Sequence, residues 1–139
     1  EIPGYIAAQI VGAIAGVAAA HAMFELPLVA ASMHVRTGWA QWWSEIVATF
    51  GLVIVIFACV RNRTTFTPFA VGLYVTAAYW FTASTSFANP AVTLARSLTN
   101  TFSGIRPDDV PGFIGAQLVG AIAATALLRW LLPENRQPE

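Results

Sequence analysis

Four stretches of this chain run without Asp, Glu, Lys or Arg, or with one of them, over close to the length of a bilayer crossing: Ile2 to Phe24, Ala40 to Val60, Phe66 to Phe87 and Val110 to Leu128. A hydrocarbon core about 30 Å thick takes about 20 residues of helix. His21 in the first run and Glu45 in the second are their only candidate charges. Polar segments separate the runs: Glu25 to Trp39, then Arg61-Asn62-Arg63, then Asn100 to Asp109. Four spans are therefore expected. A soluble helical bundle is a poor fit, since 10% of residues are charged against roughly 25% in an average soluble domain. The first run lacks the basic flank of a signal peptide and is longer than its apolar region.

Charge excludes further classes. The seven basic residues are all Arg, and seven acids cancel them, so no nucleic-acid footprint is available. The single cysteine, Cys59, permits no intrachain disulfide and no cysteine-based metal site. No Ser-His-acid set, metal spacing or phosphate loop is present, so the chain reads as a non-enzyme without metal or cofactor. Arg61, Arg63, Arg129 and Arg136 lie on one side of the spans, and Arg36 and Arg106 on the other. The positive-inside rule then puts the C-terminus in the cytoplasm.

Glu1 to Ala15 aligns without gaps on Asp109 to Ala123, with ten of fifteen positions identical at an offset of 108. The first span reads as the last helix of one repeat, and the fourth as the last helix of a second; spans two and three then lack partners. Residues 1–24 would close a first repeat and residues 40–132 form the second. Colinear repeats would place about 90 further residues before Glu1, and an odd-numbered unit must be inverted across the membrane, as in many channels and transporters. Both spans carry small residues at four-residue spacing, Ala8, Gly12 and Gly16 against Ala116, Gly120 and Ala124, which predicts close helix crossing at each.

After the third span comes Thr85-Ser86-Phe87-Ala88-Asn89-Pro90-Ala91-Val92-Thr93-Leu94-Ala95-Arg96-Ser97-Leu98. Asn89 suits a helix N-cap and Pro90 the first helical position. A helix from Pro90 to about Thr99, about ten residues, is too short to cross, so a re-entrant half-helix is expected, buried in protein or lining water. With its oxygen used in capping, the Asn89 amide would offer N–H donors to a passing neutral solute, while cations meet a positive barrier.

Ser86 to Thr93 resembles the signature loop of the aquaporin, or major intrinsic protein, family, and the paired Pro-Gly-x-x-x-Ala-Gln-x-x-Gly helices are similar to those closing its two repeats. The resemblance covers nearly the whole chain and corresponds to the second half of such a channel plus the last helix of the first. It implies an all-α membrane protein of four transmembrane helices and one re-entrant half-helix, a partial six-helix inverted-repeat channel. It further implies passive transport of water or small neutral solutes, and a homotetramer in a bacterial inner membrane. Asn89, Pro90 and Ala91 are then the pore motif. Most members carry Arg directly after this motif; here Val92 stands there, which should widen and neutralise the constriction. Ser86 matches the loop position of the filter. The span-three contribution counts to Ala77 from Asn89, or to Tyr79 from Gly72. The combination resembles a bacterial subgroup found beside arsenic-resistance genes, which implies glycerol-like polyols or trivalent arsenic acid as cargo.

In that family the glutamate matching Glu45 accepts backbone N–H bonds from the re-entrant loop; an interfacial headgroup contact and a proton-carrying role are the alternatives. Gln9 and Gln117, at matched repeat positions, are expected to support the loop or bridge helices. Arg96 is assigned to support as a cation at a helix end. His21 and His34 read as interface residues. Thr76, Thr82, Ser84 and Thr85 should bond back to carbonyls four residues earlier in their helix. A four-helix proton-coupled exporter using Glu45, or an inactive channel remnant, are the competing functions.

Overall fold

A computed structural model describes residues 1–62 and 64–132; Arg63 and Arg136, used above for orientation, lie outside them. Helix α1 (Ile2–Met23) is followed by an extended loop and α2 (Trp39–Asn62). A 3-10 turn (Thr64–Phe66) leads into α3 (Thr67–Phe81), and a loop into the short α4 (Pro90–Arg96). A second 3-10 turn (Pro107–Asp109) opens α5 (Val110–Leu131). Among the described residues there is no strand. Helices α1 and α2, and the segment Pro107–Leu131, are long and apolar enough to cross a membrane.

The third span departs from expectation. Its helix stops at Phe81 instead of Phe87 and holds 15 residues, about 22 Å at 1.5 Å per residue. The polar run beyond it takes another course, because Thr85, Ser86 and Ala88 adopt left-handed φ of 62°, 46° and 47°. Thr76 and Thr82 do bond back to Gly72 and Ala78. Ser84 and Thr85 do not: the first reaches Glu45 and the second accepts a long bond from Arg96. Helix α4 is also shorter than expected, with 7 residues. Its last turn tightens through Ser97 N–H to Leu94 and Leu98 N–H to Ala95, the usual way a helix end uses its orphan groups.

The excursion from Thr82 to Ser103 leaves and returns at one end of the bundle. On the way in, the Ser84 carbonyl accepts from Arg36 of the α1–α2 loop at 3.0 Å. On the way out, the carbonyls of Ser97 and Leu98 accept from Ser32 and Ala30 of the same loop at 2.9 and 3.0 Å. A segment that crossed could not touch that loop twice, so α4 is re-entrant. The buried apolar cluster joins this excursion to the start of α5: Phe87, Ile105, Val110 and Phe113, with the Phe87 and Phe113 rings edge to face at 5.1 Å.

The small-residue stripes behave differently in the two spans. In α5, Ala116, Gly120 and Ala124 are buried, and a Cβ on Gly120 would lie 2.5 Å from the Ile46 carbonyl of α2. In α1, Ala8, Gly12 and Gly16 are exposed, and a Cβ on either glycine meets nothing. The close crossing expected at α1 is therefore not made among the described residues: Gly16 faces α4 only across a cleft, and Gly12 meets no described atom.

Candidate functional site: a re-entrant half-helix beside an open cleft

Glu45 is fully buried one turn and a half into α2. Its Oε1 accepts from the Ser84 hydroxyl at 2.6 Å and the Phe87 amide at 2.9 Å. Its Oε2 accepts from the Ala88 amide at 2.9 Å and the Gln117 side chain at 2.7 Å. Two oxygens offer about four acceptor sites, and all four are occupied. Such bonding offsets the cost of left-handed backbone in non-glycine residues, about 1–3 kcal/mol each. A headgroup contact is ruled out by this burial.

Asn89 follows directly. Its Oδ1 caps α4, accepting from Ala91 N–H at 2.8 Å and Val92 N–H at 3.4 Å. One of its two amide hydrogens goes to Gln9 Oε1 of α1 at 3.1 Å, so one N–H, not both, is left for another partner. Thr93 donates to the Asn89 carbonyl at 2.9 Å and accepts from Gln117 at 2.9 Å. Glu45, Gln117, Thr93, Asn89 and Gln9 thus form one hydrogen-bonded path from α2 through α5 and α4 to α1. Pro90 is exposed at the first turn, where its missing N–H costs nothing, and Ala91 is buried.

The remaining sequence-predicted residues divide. Val92 and Arg96, four residues apart and on one face of α4, line a cleft of about 660 Å³ whose far wall is α1. Ser86 is buried nearby and its hydroxyl has no partner among the described residues. Tyr79 is half-buried, with its ring centroid 6.0 Å from the Arg96 guanidinium carbon. Ala77 lies on an exposed face of α3.

Three contributions escaped the sequence. Arg36, 3% exposed, sends Nε to the Gly104 carbonyl, Nη1 to Ser84 and Nη2 to Phe102, at 2.6, 3.0 and 2.7 Å. Its backbone N–H meets Asp109 at 2.8 Å. This arginine stitches three loops together. His21 is also buried, contrary to its reading as an interface residue. It bridges the Pro27 carbonyl at 2.6 Å and the Thr99 hydroxyl at 2.7 Å, and so ties the end of α1 to the segment after α4. Thr93 is the third. None had a sequence signal, because each partner is a backbone carbonyl or a residue more than twenty positions away. Burial and then the Arg96 charge lower the pKa of Arg36. Burial and then Arg36 lower that of His34, and both groups sit in the α1–α2 loop.

The sequence model of one family, described as Major intrinsic protein, matches residues 1–87 and 64–139. This chain belongs to that family. It is therefore an integral membrane protein, in keeping with its apolar helices. It is 65% identical over 136 residues to the aquaglyceroporin AqpS of Rhizobium meliloti (strain 1021), an alignment covering 98% of this chain and 58% of that protein. The chain thus spans a little over half the length of this major intrinsic protein relative. No solved structure matches it.

Proposed function

We propose that this chain forms part of a passive channel for water and small neutral solutes, with the permeation path running along the Val92 face of α4. The observation that carries the reading is the half-helix held re-entrant by the fully occupied Glu45 carboxylate beside an open cleft. Backbone of this kind is tolerated within a membrane only against protein or water. The likeness to an aquaglyceroporin supports neutral hydroxylated cargo. Glycerol-like polyols and undissociated trivalent arsenic acid fit a constriction where Val92 replaces the usual fixed cation. The Asn89 N–H left over from Gln9 is the donor offered at the head of α4. Of the two span-three candidates, Tyr79 is the filter residue, since it alone is drawn toward α4. Ser86 supplies the loop position. Glu45, Gln9 and Gln117 hold the loop. The working protein is a homotetramer in a bacterial inner membrane, with its C-terminus in the cytoplasm.

Stopped-flow swelling of liposomes containing the protein tests this. Val92→Arg is expected to cut uptake of glycerol and arsenous acid by about tenfold, the scale of a 1.4 kcal/mol barrier, while sparing water. Equal conductance of all three solutes in both proteins would remove position 92 from the constriction. Flux that vanishes when a proton gradient is collapsed would instead favour a coupled exporter.

A further inference from the structure

Two arginines approach the same buried ring, and they are not equivalent. The guanidinium carbon of Arg36 lies 5.2 Å from the Phe87 centroid, and that of Arg96 lies 4.3 Å from it. Arg36 spends Nε, Nη1 and Nη2 on three carbonyls and is closed off from solvent. Arg96 makes one side-chain hydrogen bond among the described residues, Nη1 to Thr85 Oγ1 at 3.5 Å. It has no carboxylate within salt-bridge distance among them. A guanidinium has five N–H donors, so four remain without an acceptor among the described residues. Stacking on Phe87, with Tyr79 beside it, holds the group in place through its π contacts. Those contacts leave the in-plane donors unused.

The same side chain lines the cleft, one helical turn from Val92. On the cleft wall next to it runs a connected row of polar groups. His21 Nε2 and Thr99 Oγ1 are 2.7 Å apart, Thr99 and Thr101 hydroxyls 3.0 Å, and Thr101 and Ser103 hydroxyls 3.2 Å. Val17, Ala20 and Phe24, on the same face of α1 as His21, add apolar lining to the cleft. A hydroxylated solute with a carbon backbone fits such a mixed lining, because its hydroxyls meet donors and acceptors while its carbons rest against apolar side chains.

We infer that Arg96 is the specificity-determining cation of the permeation cleft: it donates hydrogen bonds to the oxygens of neutral hydroxylated solutes and repels cations, the part left vacant by Val92. This rests on the channel reading above. It moves the charged group one turn along α4, and it assigns Arg96 to the solute rather than to support of the loop.

The test uses the protein in liposomes, in a Cys59→Ala background, since Cys59 is a free thiol. Arg96→Cys is expected to raise proton and potassium leak by at least about tenfold, as removal of a unit charge from a low-dielectric site would. Glycerol flux should fall relative to water. Aminoethyl methanethiosulfonate, which forms a mixed disulfide with the new thiol and releases methanesulfinate, puts back an ammonium and should restore cation exclusion. A residue that only braced the loop would not be rescued by a reagent that restores charge without restoring the guanidinium contacts. Arg96→Lys serves as the folded control if the cysteine variant proves unstable, and it should keep cation exclusion while losing glycerol preference. Conductance of neutral solutes by the parent, with leak and selectivity unchanged in Arg96→Cys and Arg96→Lys, overturns this assignment alone. A parent that conducts nothing overturns the channel reading, and this assignment with it.

Discussion

Helices α1 and α5 open on a repeated motif, identical at ten of fifteen aligned positions, yet they live in different surroundings. In the most apolar window of each, 6% of residues are buried for α1 and 33% for the segment ending in α5. Gln117 is buried and donates to Glu45 and Thr93; Gln9 is half-buried and, among the described residues, accepts from Asn89 alone. Gly120 admits the Ile46 carbonyl, whereas Gly12 faces open space. One motif serves two environments, because a small or polar residue on a helix acts only through what lies against it. In α5 that neighbour is α2; for α1 the described neighbour is the short α4, which meets it through Gln9 and across the cleft.

Glu45→Ala removes four hydrogen bonds, three to the loop before α4 and one to α5, and strands the Ser84, Phe87, Ala88 and Gln117 donors. Each stranded buried donor costs about 1–3 kcal/mol, so a loss of about 4 kcal/mol or more is expected, read as collapse of thermal stability in detergent. Near-normal stability would mean that the loop does not depend on this clamp.

Next come the glycines. Gly120→Val forces α2 and α5 apart and should cost about 1–3 kcal/mol, the range for overpacking. Gly12→Val should stay within about 0.5 kcal/mol, as expected of a substitution without a neighbour. Equal losses at both positions would show that α1 is covered in the membrane as tightly as α5.

The glutamines supply the smallest contrast. Gln117→Leu leaves a Glu45 lone pair and the Thr93 hydroxyl short of a partner, for about 1–3 kcal/mol. Gln9→Leu only frees an Asn89 N–H beside the cleft, for about 1 kcal/mol or less. A double-mutant cycle of Gln117→Leu with Thr93→Val should show coupling, and Gln9→Leu with Thr93→Val should show none.

How far the sequence could carry the reading differs from residue to residue. The four apolar runs, the N-cap at Asn89 and the proline after it are local signals, since helix propensity, capping and hydropathy act over a turn or a span. The resemblance of Ser86 to Thr93 to a known loop pointed to the half-helix as well. The end of α3 was not legible. Thr82 to Phe87 reads as a continuation of an apolar helix, and only the pull of Glu45, some forty positions away, turns it into left-handed backbone. Arg36 and His21 were invisible for the same reason: a loop arginine and a helix-end histidine look solvated until distant carbonyls close around them.

By itself, the order of the amino acids determined that this chain enters a membrane, that two of its helices descend from one motif, and that a short capped helix begins at Asn89. Those outcomes follow from transfer free energy and from bonds within a few residues. Only the tertiary structure decided which copy of the motif is buried and where the third span ends. It also decided which of the two arginines beside Phe87 keeps its donors unspent. Each of these turns on pairing a buried polar group with a partner far along the chain, and such a pairing has no signature until the backbone brings both ends together.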